Sequence, residues 1–249
     1  MRVDLNADLG EGAGHDDELL ELVSSASIAC GFHAGDPVSI LASIRAARAR
    51  GVAVGAHPSF ADRENFGRKE IALPAVEVFA LVAYQLGAFR ALATAAGTRV
   101  SHVKAHGALY NMAVHDEKLA EAIAHAVLAV DSSLLFFAPG ESVLERAGQS
   151  AKLRVVREVF ADRNYLADGS LVPRTRPDAL LHDPEEAAVR VLRMLREGVV
   201  RSVDGKDVEV RAETICVHGD TPGAAAFVRA LRASLENNGV SIQAPQPTP

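Results

Sequence analysis

Asp4-Leu5-Asn6-Ala7-Asp8-Leu9-Gly10-Glu11-Gly12 (DLNADLGEG) is the stretch on which the fold of this chain turns. Asp4, Asn6 and Asp8 alternate with Leu5, Ala7 and Leu9, and Val3 precedes them, so the segment reads as a strand with one polar and one apolar face. Asp4, Asp8 and Glu11 near one strand end are expensive unless they meet a metal, a cation or a hydrogen-bond-donating ligand. A solvated turn capped by Asp8 or Glu11 is the competing reading. Burial of the flanking Val3, Leu5 and Leu9 favours the first. Gly10-Glu11-Gly12 resembles the opening of a dinucleotide loop, but the third glycine is missing and Glu11 would repel a pyrophosphate.

The same arrangement, a short apolar run and then a polar cluster, recurs at ACGFHAGD (29–36), GAHPSF (55–60), VKAHGALYN (103–111), EVFADRNY (158–165) and CVHGD (216–220). Seven strands are expected at Val3–Asn6, Ser27–Cys30, Val52–Ala56, Val100–Ala105, Leu134–Ala138, Val155–Val159 and Thr214–His218. Helical periodicity fills the gaps, at Asp16–Ser24, Val38–Arg50, Pro74–Ala96, Asp116–Val130, Glu141–Ala147, Pro184–Gly198 and Gly223–Asn237. Asp36-Pro37 reads as a cap and first-turn pair, and Gly51 as a stop. Alternating strands and helices predict a parallel sheet. An open doubly wound sheet needs only two or three site loops. Polar clusters after nearly every strand instead predict closure into a single-domain β/α barrel over residues 1–242, with a pocket at its C-terminal mouth. Seven strands make it a distorted, TIM-like variant. Ala161–Asp183 lacks periodicity and reads as a functional or disordered loop. Val199–Val210 reads as a hairpin turning at Asp204-Gly205. Residues 243–249 are expected to form a disordered tail.

The pocket candidates follow from these segments. Asp36 is read chiefly as a cap, whereas His33 has no such role, and Pro58 could orient His57. His102, Lys104 and His106 alternate on one face. A lysine between two histidines is expected to have a depressed pKa, from burial and neighbouring positive charge, and to polarise an oxygen or act as a base. Tyr110 and Asn111 add donors for a small polar ligand. Glu158, Asp162, Arg163 and Arg174 suggest a salt-bridged lid, with arginine as a carboxylate clamp; for Arg163 a structural ion pair is an equal reading. His218 and Asp220 stand at the last strand end, where Thr221-Pro222 starts a helix suited to an anion. His15, His115, His125 and His182 have ordinary surface contexts.

A net charge of −6, with no Lys/Arg-rich block, argues against nucleic acid as a partner. No signal-like start and no run of about 18 uninterrupted apolar residues occur, so a cytoplasmic chain without a membrane role is expected. Cys30 and Cys216 are too few for a disulfide framework or a cysteine-rich zinc site. GxxxxGK, GxSxG and HExxH motifs are all missing.

Together the segments DLNADLGE, ACGFHAGD, GAHPSF with NFGRKE, VKAHGALYN, EVFADRNY with DGSLVPR, and CVHGDTP closely resemble the LamB/YcsF family, from Met1 to about Gly239. Ala61 and Ala105 stand where the family pattern leads one to expect proline, which bears on loop stiffness more than on chemistry. The resemblance implies a seven-stranded barrel related to sugar deacetylases. It implies an enzyme, one component of the bacterial ATP-dependent 5-oxoprolinase, a hydrolase opening the cyclic amide of 5-oxo-L-proline (pyroglutamate) to L-glutamate. ATP with Mg would serve the assembled enzyme, and 5-oxoprolinase subunits B and C would be the partners. On this reading Asp8, Glu11, His57, Lys104, His106 and Glu158 are the catalytic candidates. Asn6, His33, Tyr110, Asn111, Arg163, Arg174, His218 and Asp220 are the substrate-binding ones. A bound divalent metal is left open, with Asp8, His33, His57 and His106 as candidate ligands. Two other readings stand beside it: a stand-alone metal-dependent amide hydrolase of the polysaccharide-deacetylase type, and a non-catalytic subunit that presents the substrate.

Overall fold

A computed structural model describes residues 1–218 and 223–246. The strands are β1 (Arg2–Leu9), β2 (Ser25–Ala29), β3 (Ala53–His57), β4 (His102–Val103), β5 (Leu135–Pro139), β6 (Arg154–Phe160), β7 (Val199–Arg201), β8 (Asp207–Glu209), β9 (Thr214–Val217) and β10 (Ser241–Ile242). The helices are α1 (Asp16–Leu20), α2 (Pro37–Ala49), α3 (Ala75–Ala95), α4 (Gly107–Ala113), α5 (Glu117–Val130), α6 (Val143–Ser150), α7 (Pro184–Glu197) and α8 (Ala224–Asn237). β1 to β6 pair in sequence, all parallel, and β9 pairs with both β6 and β1, closing a seven-stranded barrel. β7 and β8 form the expected antiparallel hairpin outside it, with Gly205 at φ +75° in its turn.

The alternation of β1 now has a cause. Val3, Leu5, Ala7 and Leu9 belong to the large apolar core shared with the surrounding helices. The alternate residues share the barrel interior: Asp8 is in register with Ser27, Ser27 with Gly55, and Gly55 with His102. That interior holds a small separate apolar cluster, Leu135, Phe137 and Val156. His102 lies flat on Phe137 (centroids 4.3 Å, 9°) and bonds Ser27 Oγ and Ser101 Oγ. Gly55 makes room for it, since a Cβ there would lie 2.0 Å from His102 Nε2. Burial holds His102 neutral, its pKa lowered to about 3. The lysine-bearing segment is therefore flanked below by an imidazole that packs the barrel rather than serving the pocket.

Several elements differ from the sequence reading. β4 is only two residues long, because after Val103 the chain bonds loop atoms instead of a full ladder (Lys104 N to Ala56 O, His106 N to Pro58 O). α4 was not foreseen; Gly107, at φ +58°, turns the chain into it. β10 was not foreseen either. It pairs with β1 (Arg2 with Ser241, Val3 with Ile242), and Gln243 N–H donates to Val3 O. Of the segment expected to form a tail, the Gln246 carbonyl accepts from Arg154 Nη1, and residues 247–249 lie outside the described residues. Asp36 caps α2 in a full capping box with Ser39, which the sequence had suggested only in part. α3 has the length and composition to cross a membrane; Val78, Val82, Leu86, Phe89 and Ala93 are nevertheless buried against the barrel layer. Residues 161–183 form no helix but are tied down: isolated bridges join Arg163 to Leu180 and Tyr165 to Leu171, and Arg190 of α7 donates to Ala161 O, Arg163 O and Asn164 Oδ1.

Candidate functional site

At the C-terminal ends of the strands lies a cavity of about 750 Å³. Asp8 and Glu11 come to it from the end of β1, His57 from β3, and Lys104, His106, Tyr110 and Asn111 from the β4–α4 segment. Glu158 arrives on β6, Arg163 and Arg174 on the long loop, and His218 after β9. Asn6 is fully buried and does not line the cavity; its side chain bonds Glu158, Thr214 and Lys104, so it braces the floor. His33 lies behind Glu11, on the side of a second, more open hollow lined by Gly10, Gly12, Asp16 and Arg63. Asp220 and the anticipated anion cradle at Thr221-Pro222 lie outside the described residues.

Lys104 is the hub of the floor. Its Nζ lies 2.5 Å from Asp8 Oδ1, 3.2 Å from Glu158 Oε1, 2.9 Å from Asn6 Oδ1 and 3.2 Å from Cys216 Sγ. Burial works against its charge, but Asp8, Cys216 and Glu158 outweigh it and raise the pKa well above 10.5. The expected depressed pKa is therefore wrong. The sequence displayed the acids Asp8 and Glu158 as well as the two histidines, but not that β1 and β6 bring those acids onto Lys104. Lys104 is a fixed ammonium, not a base. Asp8 is held well below the usual carboxylate range: burial opposes its charge, while a protonated His57 and Lys104 favour it. Glu158 is fully engaged, by Asn6, Lys104 and the Tyr110 hydroxyl, which donates to Oε2 at 2.7 Å. A lid built on Glu158 is excluded by this position in the floor.

Above the floor, three histidines gather around Glu11. His33 donates Nε2–H to Glu11 Oε1 at 3.0 Å and stacks on His106 (centroids 3.9 Å, 7°). His106 Nδ1 lies 3.2 Å from Glu11 Oε1, and its Nε2 donates to Phe66 O at 2.9 Å. His57 Nδ1 donates to Lys104 O at 2.7 Å, and its Nε2 lies 3.3 Å from Asp8 Oδ2. Burial lowers His33 to about 4 and also lowers His106, with Glu11 countering in both. Ligand atoms of Asp8, Glu11, His57 and His106 all lie within 4.8 Å of one another, as do those of Asp8, Cys216 and His218. His33 belongs to neither group, because its ring reaches the cluster only by donating to Glu11.

Two contributors were missed. Phe66 holds φ +57°, a left-handed conformation costing about 1–2 kcal/mol for a residue with a Cβ, and its carbonyl is what His106 Nε2 bonds. Asn65-Phe66-Gly67 was its only trace in the sequence. Asp162 was placed in a lid with Arg163. Instead its carboxylate accepts from His218 Nδ1 and from the His218 backbone N–H, each at 3.0 Å. That leaves Nε2 as the imidazole's open nitrogen, an arrangement that can take up or deliver a proton. Arg163 is 5% exposed, donates Nη2 to Val172 O, and leaves Nε without a hydrogen bond. No carboxylate among the described residues forms an ion pair with it, and burial beside Arg174 brings its pKa down to about 10.

The LamB/YcsF family model matches residues 3–248. A lactam utilization protein from Thermus thermophilus has 51% identity and a TM-score of 0.92, over 98% of this chain and 100% of that one. A proposed cellobiose-phosphate cleavage protein from Enterococcus faecalis shares the fold at 13% identity and TM-score 0.56, covering 97% and 96% of the two chains. A family 4 carbohydrate esterase from Streptomyces lividans does so at 12% identity and TM-score 0.50, covering 99% and 98%.

Proposed function

The chain belongs to the LamB/YcsF family, and from that premise we propose that it is the lactam-binding and proton-transferring component of an ATP-coupled 5-oxoprolinase, working with partner subunits B and C in the cytoplasm. The observation that carries the choice of substrate is Arg163, a buried guanidinium without a carboxylate partner among the described residues, lining the same cavity as the acid and histidine cluster. A small lactam bearing a carboxylate would supply the missing anion, as a two-pronged acceptor for the guanidinium fork. A neutral lactam would leave that charge buried and unanswered.

Five-membered lactams are unstrained and resonance-stabilised, so ring opening is coupled to ATP. Phosphate transfer needs a backbone cradle and a free lysine or metal; among the described residues Lys104 is already held by Asp8 and Glu158, and the walls of this cavity also carry the Glu11 carboxylate. ATP with Mg is therefore assigned to the partner subunits. In this chain, Arg163 with Arg174 anchors the carboxylate, and Tyr110 and Asn111 border the ring. His218, oriented by Asp162, takes a proton from the attacking water. Its oxygen bonds to the ring carbonyl carbon, whose oxygen carries the phosphoryl group supplied from ATP by the partner subunits. The C–N bond breaks as the ring nitrogen takes the proton from His218 and leaves as the amine, and a second water releases phosphate from the resulting acyl phosphate.

The experiment is phosphate release and glutamate formation by the purified chain alone and then with its partners. We expect neither product from the chain alone and both from the complex, with Arg163→Met raising KM for 5-oxoproline. 5-Oxoproline-stimulated ATP hydrolysis by the single chain would overturn this division of labour. Unchanged KM in Arg163→Met would overturn the anchor.

A further inference from the structure

We infer that Asp8, Glu11, His57 and His106 form a binding site for one divalent first-row transition-metal ion. The argument starts from the far side of each imidazole. His57 Nδ1 lies 2.7 Å from Lys104 O and His106 Nε2 lies 2.9 Å from Phe66 O. A carbonyl only accepts, so both of those nitrogens carry hydrogen. In the neutral rings the two remaining nitrogens, His57 Nε2 and His106 Nδ1, are therefore bare lone pairs, and they face each other at 2.9 Å. Carboxylate oxygens crowd the same point: Asp8 Oδ2 is 3.3 Å from His57 Nε2, and Glu11 Oε1 is 3.2 Å from His106 Nδ1 and 3.8 Å from His57 Nε2.

Four electron-rich atoms converge on one spot. A single proton satisfies one pair among them; one cation satisfies all four. An imidazole whose second nitrogen is fixed by a backbone carbonyl is also how proteins orient histidine ligands. His33 completes the picture from outside the set. It donates to Glu11 Oε1 and lies flat on the His106 ring, so it positions one carboxylate and one imidazole at once. Gly67 lets that sandwich close, since a Cβ there would lie 2.9 Å from His33 Cβ and 3.0 Å from His106 Cδ2.

Two imidazole nitrogens with two carboxylate oxygens suit Zn²⁺, Mn²⁺, Fe²⁺ or Co²⁺ better than Ca²⁺ or Mg²⁺, which favour all-oxygen sets. All four residues, unlike the brace His33, border the large cavity, so a position stays open toward a ligand there. A bound ion would supply Lewis-acid polarisation of a carbonyl oxygen in that cavity. The site does not depend on which lactam the chain takes.

Co²⁺ reports on its own coordination by visible absorption, so it is the probe. The full chain, stripped with a chelator, is titrated with Co²⁺ and then with Zn²⁺ as competitor, alongside thermal unfolding with and without metal. We expect one equivalent per chain, a saturable visible band displaced by Zn²⁺, and a raised Tm. Glu11→Gln and His106→Gln should each weaken binding more than about 100-fold. His33→Gln should weaken it by only about 10- to 100-fold, as loss of an outer partner does. His125→Gln, on the polar face of α5, should bind as wild type. No saturable band in folded wild-type chain, or equal affinity in the ligand variants, overturns the inference. That outcome leaves the proposed lactam reaction standing, whereas a reconstituted complex that binds Co²⁺ but opens no lactam does the reverse.

Discussion

Asp4 and Asp8 stand four residues apart on one strand face yet have opposite fates. Asp8 reaches Lys104 and His57 and is held ionised. Asp4, one layer deeper, receives only hydroxyls, from Ser24, Ser25 and Thr214, and burial pushes it up to about 6 from 3.8. Because the folded pKa lies above the unfolded one, its contribution to stability is full below pH 3.8 and is lost as pH rises through 6. Asp4→Asn should therefore gain on wild type across that window, by up to about 3 kcal/mol, in urea unfolding at a series of pH values. Parallel stability curves would show that Asp4 ionises without penalty. The sequence displayed both acids but not their depth, because period-two alternation assigns a face and is silent about the layer. Lys104 makes the complementary case. Replacing it with Met leaves Asp8 and Glu158 buried without their cation, at about 3–5 kcal/mol. We expect a destabilised and inactive Lys104→Met, and expect that adding Asp8→Asn and Glu158→Gln restores the denaturation midpoint without restoring turnover.

Strands and long helices were legible because burial on one or both faces imposes a period, and that period survives in the sequence. α4 and β10 were not: seven and two residues are too short to carry a period, and each exists because something else holds it. For α4 the holder is Gly107, whose φ of +58° is joined by a close approach, since a Cβ would lie 2.4 Å from Gly67 O. That carbonyl also accepts from Ala108 N–H, so it cannot easily move away. Gly107→Ala should cost more than the about 1–2 kcal/mol of left-handed strain alone. Gly12→Ala, at φ +79° with nothing within 4 Å of its Cβ, should show only that strain. Equal losses in the two variants, read by chemical denaturation, would mean the contact relaxes.

The closed barrel was legible at the scale of the whole molecule, since polar clusters after nearly every strand need many strand ends on one mouth. The partnerships across that mouth were not. Asp162 with His218 and Lys104 with Glu158 join residues more than 50 positions apart, and only closure decides which loops meet. The start of β1 is covered by the far C-terminal segment, where β10 pairs with Arg2 and Val3, the amino terminus donates to Gly239 O, and Val240 is buried. Removing residues 239–249 should lower Tm by about 5 °C or more by uncovering Val3 and Val240. An unchanged melting curve would make the strand an ornament.

The pairing of β1 with β9 and β10 also bears on how the chain is born. β1 is made before any other strand of the barrel, and its neighbours on one side are made last, roughly 200 residues later. At synthesis rates of about 5–20 residues per second, its open edge waits for about 10–40 s beside a nascent, largely apolar sheet. Unpaired strand edges of that kind recruit other chains, and charged residues on the strand are a means of discouraging it. Asp4 and Asp8 are on that strand throughout the wait. Carboxylates that later lie in and beneath the pocket floor would thus first serve as a guard against misassembly on the ribosome.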